Sequence, residues 1–494
     1  MTNDTGSKSR LSLRSLGGFV GPALLQKLIP FVALPILAHS ISVADLGLCG
    51  VLTTIFLLGN SVFGFGQDTI MFAESKGRSV SAASKGMVEP FAVLLVSNLT
   101  VCFLVSCAIA GGQFFDAGIF YYSVLIELAA ASVYSIGYMP FATLTRINYE
   151  PTKFAFVVLA FSAVQYVTKL VLVPGSENPV LVWALTDLAS ATVVFAATVW
   201  SYGIKVFRTH WNKELVVSSA VRGFPLVPSK IAQWFQTSSD RSLISHINGP
   251  VQAGQYAAAG QFTNAALGLI VEISRYFTPS LSEYARNYKL SGAFDPRMRR
   301  VMLWQAIVMS TGATLMAVAG PVVVALLFPE SYEPAQRVVA GLAGPVLLAG
   351  LGFVAINFVT VSLAQTGRVW IWTTAGALAS VLVNLVLLRP LGLAAAVIAS
   401  SVGYGVVLVG VALTHWADLR KAGALTAQVA SSVAISGVAI GASVTFYKSV
   451  VVLSLVGCAS GLLFVLLIVS AKIGSPDRDN HEVARTSRAK RERV

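Results

Sequence analysis

Charge is what this sequence has least of. Only 12% of its 494 residues are Asp, Glu, Lys or Arg, about half the share found in a soluble domain. No polar stretch is long enough for a separate soluble domain, which excludes an appended catalytic or binding module. Cysteine is equally scarce. Cys49, Cys102, Cys107 and Cys458 all fall in apolar stretches, with neither metal-ligand spacing nor a disulfide framework, and read as small buried hydrophobes. No small-residue cleavage motif follows the polar start Met1–Arg14, so no cleavable signal peptide is expected.

What is abundant is apolar: 55% of the chain, with a mean hydropathy of +0.73. Apolar stretches of about 20 residues recur along nearly the whole length, the pattern of an all-α, polytopic membrane protein. A hydropathy walk gives about fourteen spans, near 17–38, 46–66, 87–110, 117–140, 153–173, 179–203, 223–247, 252–273, 301–327, 338–365, 369–389, 393–414, 424–446 and 450–472. With the N-terminus inside, only Arg337, Arg389 and Lys448 of the 35 Lys and Arg residues fall outside the membrane, and Lys27, Lys169, Lys230 and Arg241 lie within spans. Every other one is cytoplasmic, a bias that a single missed span would invert. Both termini are therefore expected in the cytoplasm. The pI near 9.6 follows from this bias and needs no nucleic-acid partner. The longest inner loop, about Ser274–Arg300, is expected to carry a short amphipathic helix on anionic headgroups.

The chain also repeats itself. Leu37-Ala-His39 through Gly47 closes the first span, and Ile244-Ser-His246 through Gly254 closes the seventh, 207 residues later. In both, a His precedes a Gly by eight residues across a short outer turn. The expected division is a cytoplasmic tail (1–16), a lobe of six spans (17–221) and a second such lobe (222–414). An appended span pair (415–472) and a basic, disordered cytoplasmic tail (473–494) complete it. Parallel repeats with a site between them are a transporter architecture.

Nine ionisable residues sit within spans: Lys27, Glu89, Glu127, Lys169, Asp187, Lys230, Asp240, Arg241 and Glu272. Each costs roughly 2.5–3.5 kcal/mol on insertion scales, so such residues face a wet cavity or pair inside the bundle. In span 7, Lys230, Gln233, Trp234, Thr237 and Arg241 follow helical spacing along one face, with about 16 Å between its two cations. In span 5, Ser162, Gln165, Tyr166 and Lys169 form a second polar stripe.

Two stretches resemble the polysaccharide transporter family, the Wzx-type O-antigen and exopolysaccharide flippases of the MOP exporter superfamily. One is Leu34-Pro-Ile-Leu-Ala through Asp45-Leu-Gly47. The other is Phe224-Pro-Leu-Val-Pro-Ser, then Ser239-Asp240-Arg241-Ser-Leu-Ile, then Ala253-Gly-Gln-Tyr256-Ala-Ala-Ala. Pro279, Phe328-Pro329, Tyr332 and Arg389-Pro390-Leu-Gly392 extend it, although an apolar residue commonly precedes that last Pro in the family. The resemblance covers spans 1–12 well and the last pair loosely. It implies a two-lobed flippase of the bacterial cytoplasmic membrane, exporting undecaprenyl-pyrophosphate-linked oligosaccharides through a cationic cavity. Membrane lipids, a polysaccharide polymerase and glycosyltransferases are the further partners that reading brings; it requires no cofactor or metal.

On that reading Lys27 and Lys230, with Arg241 as a third cation, hold the pyrophosphate. Gln26, Gln233 and Thr237 contact the headgroup, and Trp234 stacks on a sugar ring. The competing reading pairs Arg241 with Asp240 or Glu272. Glu127, Lys169, Asp187 and Asp240 form either a buried network locking the lobes or a carboxylate site for a coupling ion. In span 8, Gln252, Gln255, Tyr256 and Thr263 are placed to meet sugar hydroxyls, while Asn357 and Asn384 tie helices together. The runner-up function is a multidrug or small-solute antiporter of the same superfamily, disfavoured by cavity cations. An integral-membrane glycan polymerase or glycosyltransferase would need acids or bases on sizeable outer loops, which are missing. A major-facilitator transporter is disfavoured by the loop after span 2.

Overall fold

The computed structural model describes residues 13–67, 70–71, 88–112, 118–147, 150–202, 212–291, 296–363, 369–422 and 426–473. Every expected span is occupied by a long helix. These are α1 (Leu13–Ala38), α2 (Val43–Phe63), α3 (Val88–Gly112), α4 (Ile119–Ile147), α5 (Pro151–Leu172) and α6 (Pro179–Tyr202). They continue as α7 (Leu226–Asn248), α8 (Pro250–Ser291), α9 (Pro296–Leu327), α10 (Glu333–Asn357), α11 (Val369–Leu391), α12 (Leu393–Thr414), α13 (Ala427–Thr445) and α14 (Val450–Ile473). Eleven are long and apolar enough to cross a membrane. In α1 the described apolar stretch is the shorter Leu28–Ala38.

The burial pattern is that of a protein whose solvent is lipid. Along α12 the interior positions include Ala395, Ala396, Ala399, Ser400, Gly403 and Gly410, small residues that let backbones approach, beside the larger Tyr404, Val407 and Val411. The outward faces carry the large apolar side chains, as with Leu25, Leu28, Val32 and Ile36 on α1 or Leu378, Leu382 and Val386 on α11. Two of the four cysteines follow this outward pattern: Cys49 is buried and Cys102 half-buried, but Cys107 and Cys458 are exposed. The expectation of four buried thiols is corrected there, since a thiol tolerates lipid as well as a core does.

Two lobes of six helices are visible in the packing. In the first, α1 packs on α5, α2 on α4, α3 on α4, and α6 on α4 and α5. In the second the same partners recur six helices on: α7 on α11, α8 on α10, α9 on α10, and α12 on α10 and α11. The appended α13 lies against α9 and α10 of the second lobe. Its Ser432 and Ser436 accept hydrogen bonds from Ser310 (3.3 Å) and Thr314 (2.9 Å) of α9, and Ser436 donates to the Ser310 carbonyl (2.9 Å).

Between the lobes runs a short helix, Lys213–Gly223, clasped to the end of α2. Phe65 and Gly66 take left-handed φ of 49° and 70°, turning the chain so that Gln67 exchanges hydrogen bonds with Ser219 (2.8 and 3.3 Å). A Cβ on Gly66 would press on the Gly223 carbonyl oxygen at 2.6 Å, so both backbone conformation and space require glycine there. One expectation fails at the inner face. The segment Ser274–Arg300 is mostly not a loop, because α8 continues unbroken to Ser291 and α9 starts at Pro296. Helix propagation beyond the apolar stretch adds one backbone hydrogen bond per residue, so nothing stops it at the membrane surface.

Candidate functional site at the lobe interface

The lobes meet mainly where α2 of the first packs against α7 and α8 of the second, with α1 also against α8. The polar stripe of α7 lies along this seam. Trp234 donates from Nε1 to the Thr54 carbonyl of α2 (2.8 Å), and Thr54 and Ser242 share a hydroxyl hydrogen bond (3.0 Å). Trp234 is thus engaged in joining the lobes, with Phe235 edge-on to its ring, rather than standing free for a sugar. Gln233 and Thr237 are exposed, linked by a hydrogen bond from the Thr237 hydroxyl to the Gln233 carbonyl (3.0 Å). Lys230 and Gln26 are half-buried. Lys27 lies in α1, but its side chain is outside the described residues, as are those of Glu89 and Glu272.

Arg241 sits deepest in the stripe, only 6% exposed. Its stem runs past Gly50 of α2 and its guanidinium lies over Gly260 of α8, where a Cβ would come within 2.7 Å of Nη2. No carboxylate among the described residues reaches it, and no hydrogen bond is made there. The tyrosines 166 and 256 are its electrostatic neighbours together with Asp240. The expected Asp240–Arg241 pairing does not form. Adjacent residues on a helix point about 100° apart, so when Arg241 faces the lobe seam, Asp240 faces into the second lobe.

There Asp240 is fully engaged. Its carboxylate accepts from the Tyr256 hydroxyl (2.7 Å), Asn384 Nδ2 (2.8 Å) and the Ser400 hydroxyl (2.9 Å). This ties α7 to α8, α11 and α12. Tyr256 thus donates its hydroxyl to Asp240, and Gln255 donates to the Ser331 carbonyl at the chain turn before α10 (2.9 Å). Removing one donor leaves part of a buried carboxylate without a partner, at about 1–3 kcal/mol. Asn384→Ala is accordingly expected to lower the melting temperature, and a thermal melt reads it directly.

In the first lobe, Lys169 and Asp187 form a buried ion pair at 2.7 Å. Gln165 donates to the same carboxylate (2.5 Å), and the Lys169 ammonium lies 3.8 Å from the Trp183 ring centre. Glu127 is fully buried beside this pair with Asp187 as its close carboxylate neighbour, and neither of its oxygens meets an uncharged hydrogen-bond donor among the described residues. Lys169 thus takes Asp187, the residue 18 positions along the chain, in preference to Glu127. Among the described residues no group of three His, Cys, Asp or Glu is arranged to hold a metal ion. Sequence reasoning missed Thr54 and Ser400; neither carries a local signal, since each matters only through a helix far away in the chain.

No protein-family model matches the chain, and no curated protein matches it in sequence. Solved structures do match in fold. A lipid II flippase, MurJ, in an inward closed conformation, superposes with a TM-score of 0.66 at 13% identity, over 92% of this chain and 98% of that one. An inward-facing multidrug resistance MATE family transporter of the MOP superfamily gives 0.59 at 14% identity, over 82% and 99%. The multidrug transporter DinF-BH in complex with R6G gives 0.59 at 13% identity, over 86% and 100%. The chain thus shares the overall fold of these flippase and multidrug transporter structures.

Proposed function

We propose that the chain is a flippase that carries a polyprenyl-pyrophosphate-linked oligosaccharide across the bacterial cytoplasmic membrane, with both termini inside. Arg241 carries the proposal: a buried guanidinium at the lobe seam, with no carboxylate partner among the described residues. An unpaired cation is expensive at such a depth, and an anionic group arriving with the cargo would satisfy it through two parallel hydrogen bonds. The likeness in fold to a lipid II flippase supports a lipid-linked cargo over a drug, as does the cationic rather than acidic stripe on α7.

On this reading the pyrophosphate meets Lys27, Lys230 and Arg241, the glycan lies along Gln26, Gln233 and Thr237, and the polyprenyl tail stays in lipid. Rocking of the lobes across the α2–α7–α8 seam presents the headgroup to the other side. Glu127 is the carboxylate assigned to a coupling ion. If so, Glu127→Gln abolishes the stimulation of transport by an imposed ion gradient while leaving exchange at zero gradient. The experiment for the cation site is polysaccharide export in cells carrying Lys27→Ala or Lys230→Ala. Each is expected to lose most export, and normal export in both would sink the shared pyrophosphate site. Gly260→Ala tests Arg241 without touching it. The added methyl displaces the guanidinium, and export should fall severalfold with little change in melting temperature.

A further inference from the structure

The two turns that carry the internal repeat meet in space. At the start of α2 and of α8 the backbones cross so closely that neither helix has room for a side chain. A Cβ on Gly47 would overlap the Pro250 carbonyl oxygen and stand 2.7 Å from the Gly254 nitrogen. A Cβ on Gly254 would overlap the Val43 carbonyl oxygen and stand 3.0 Å from Val43 Cγ1. Val43 and Pro250 are 207 residues apart, as are Gly47 and Gly254, so the two halves of the contact exchange under the repeat. One turn deeper the relation continues: a Cβ on Gly50 would meet the Ala257 Cβ at 3.2 Å, again across 207 residues. Beyond that the seam becomes polar, with the Thr54–Ser242 and Trp234–Thr54 hydrogen bonds.

Helix packing inside either lobe would not need this arrangement, because it joins the lobes on their pseudo-two-fold axis. Small residues permit such close approach, and a contact made of them has no room for an added methyl. The contact is tight. It also lies at one end of the seam, beside the turn Ile41–Ser42 and the turn at Gly249, on the outer side by the Lys/Arg bias. The start of α2 is stiffened by Ser42, which caps the Asp45 amide (3.0 Å), so α2 moves there as a rod.

We propose that the Gly47–Gly254 crossing is the closed outer gate of the transporter, and that a single methyl at either glycine holds the gate open. The proposal rests on the transporter reading above, but its readout contains no cargo. The test places spin labels at His39→Cys and His246→Cys, both exposed and equivalent under the repeat, after replacing the four native cysteines with Ala. Pulsed electron resonance then gives the distance between the turns. The unsubstituted glycines are expected to give one short population. Gly47→Ala and Gly254→Ala should each move most of it several ångströms longer, Gly50→Ala only part of it. Gly441→Ala, where a Cβ meets nothing within 4 Å, should leave it in place. An unchanged distance in Gly47→Ala and Gly254→Ala overturns the gate. Should both misfold, an unchanged distance in a well-folded Gly50→Ala does the same. If the glycine variants open as expected while the unsubstituted chain moves no lipid-linked sugar, the cargo is refuted and the gate stands. Native-rate transport by Gly47→Ala refutes the gate alone.

Discussion

Arg241→Gln is expected to abolish most transport and at the same time raise the melting temperature. The two effects have one cause. A buried guanidinium with no carboxylate partner among the described residues destabilises the empty protein, by up to about 2.5–3.5 kcal/mol on insertion scales. Neutralising it removes that cost. On the proposed function, transport falls because the headgroup loses charge-assisted hydrogen bonds worth about 1.5–3 kcal/mol, or roughly 10–100-fold in affinity. Arg241→Lys keeps the charge and loses the planar fork, so it should transport at an intermediate rate. Melting curves and transport by the three forms check this. If Arg241→Gln melts lower and loses transport only in proportion, the arginine is a structural residue.

Lys169 makes the opposite prediction, although it is as deeply buried. It is paired with Asp187 at 2.7 Å and lies against Trp183, so Lys169→Met strands a carboxylate that is itself 2% exposed. Breaking one side of a buried pair costs about 3–5 kcal/mol, and a sharply lower melting temperature is expected. Replacing both partners, Lys169→Met with Asp187→Leu, should recover most of the loss, because apolar residues of similar volume substitute well for a buried pair. Additive destabilisation in the double variant would mean that the pair is not the unit. The two cations thus separate by sign: neutralising Arg241 stabilises, neutralising Lys169 destabilises.

The helices were legible because hydropathy reports the lipid directly. The fourteen spans could be read that way, and the repeat from its His-to-Gly spacing, while α8 was misjudged where it runs on past its apolar stretch to Ser291. The polar residues were legible as a set but not in their pairings. Helical spacing put Lys230, Trp234 and Arg241 on one face, yet it could not say that Trp234 would bond Thr54 of the other lobe. Nor could it say that Asp240, next to Arg241 in the chain, would turn away to Asn384 and Ser400, more than a hundred residues on. Such partners depend on how helices are rotated about their axes, which is fixed by packing. Gly47 and Gly254 show the converse. They were visible as a repeat, but their contact needed coordinates.

The measurement that bears most directly on the proposed function is transport by the purified chain in proteoliposomes. The substrate is a fluorescent polyprenyl-pyrophosphate oligosaccharide, with a polyprenyl monophosphate lacking sugar and a cationic dye as comparisons. The expected result is movement of the pyrophosphate-linked sugar alone, lost in Arg241→Gln. Efflux of the cationic dye with no movement of the lipid-linked sugar would contradict it.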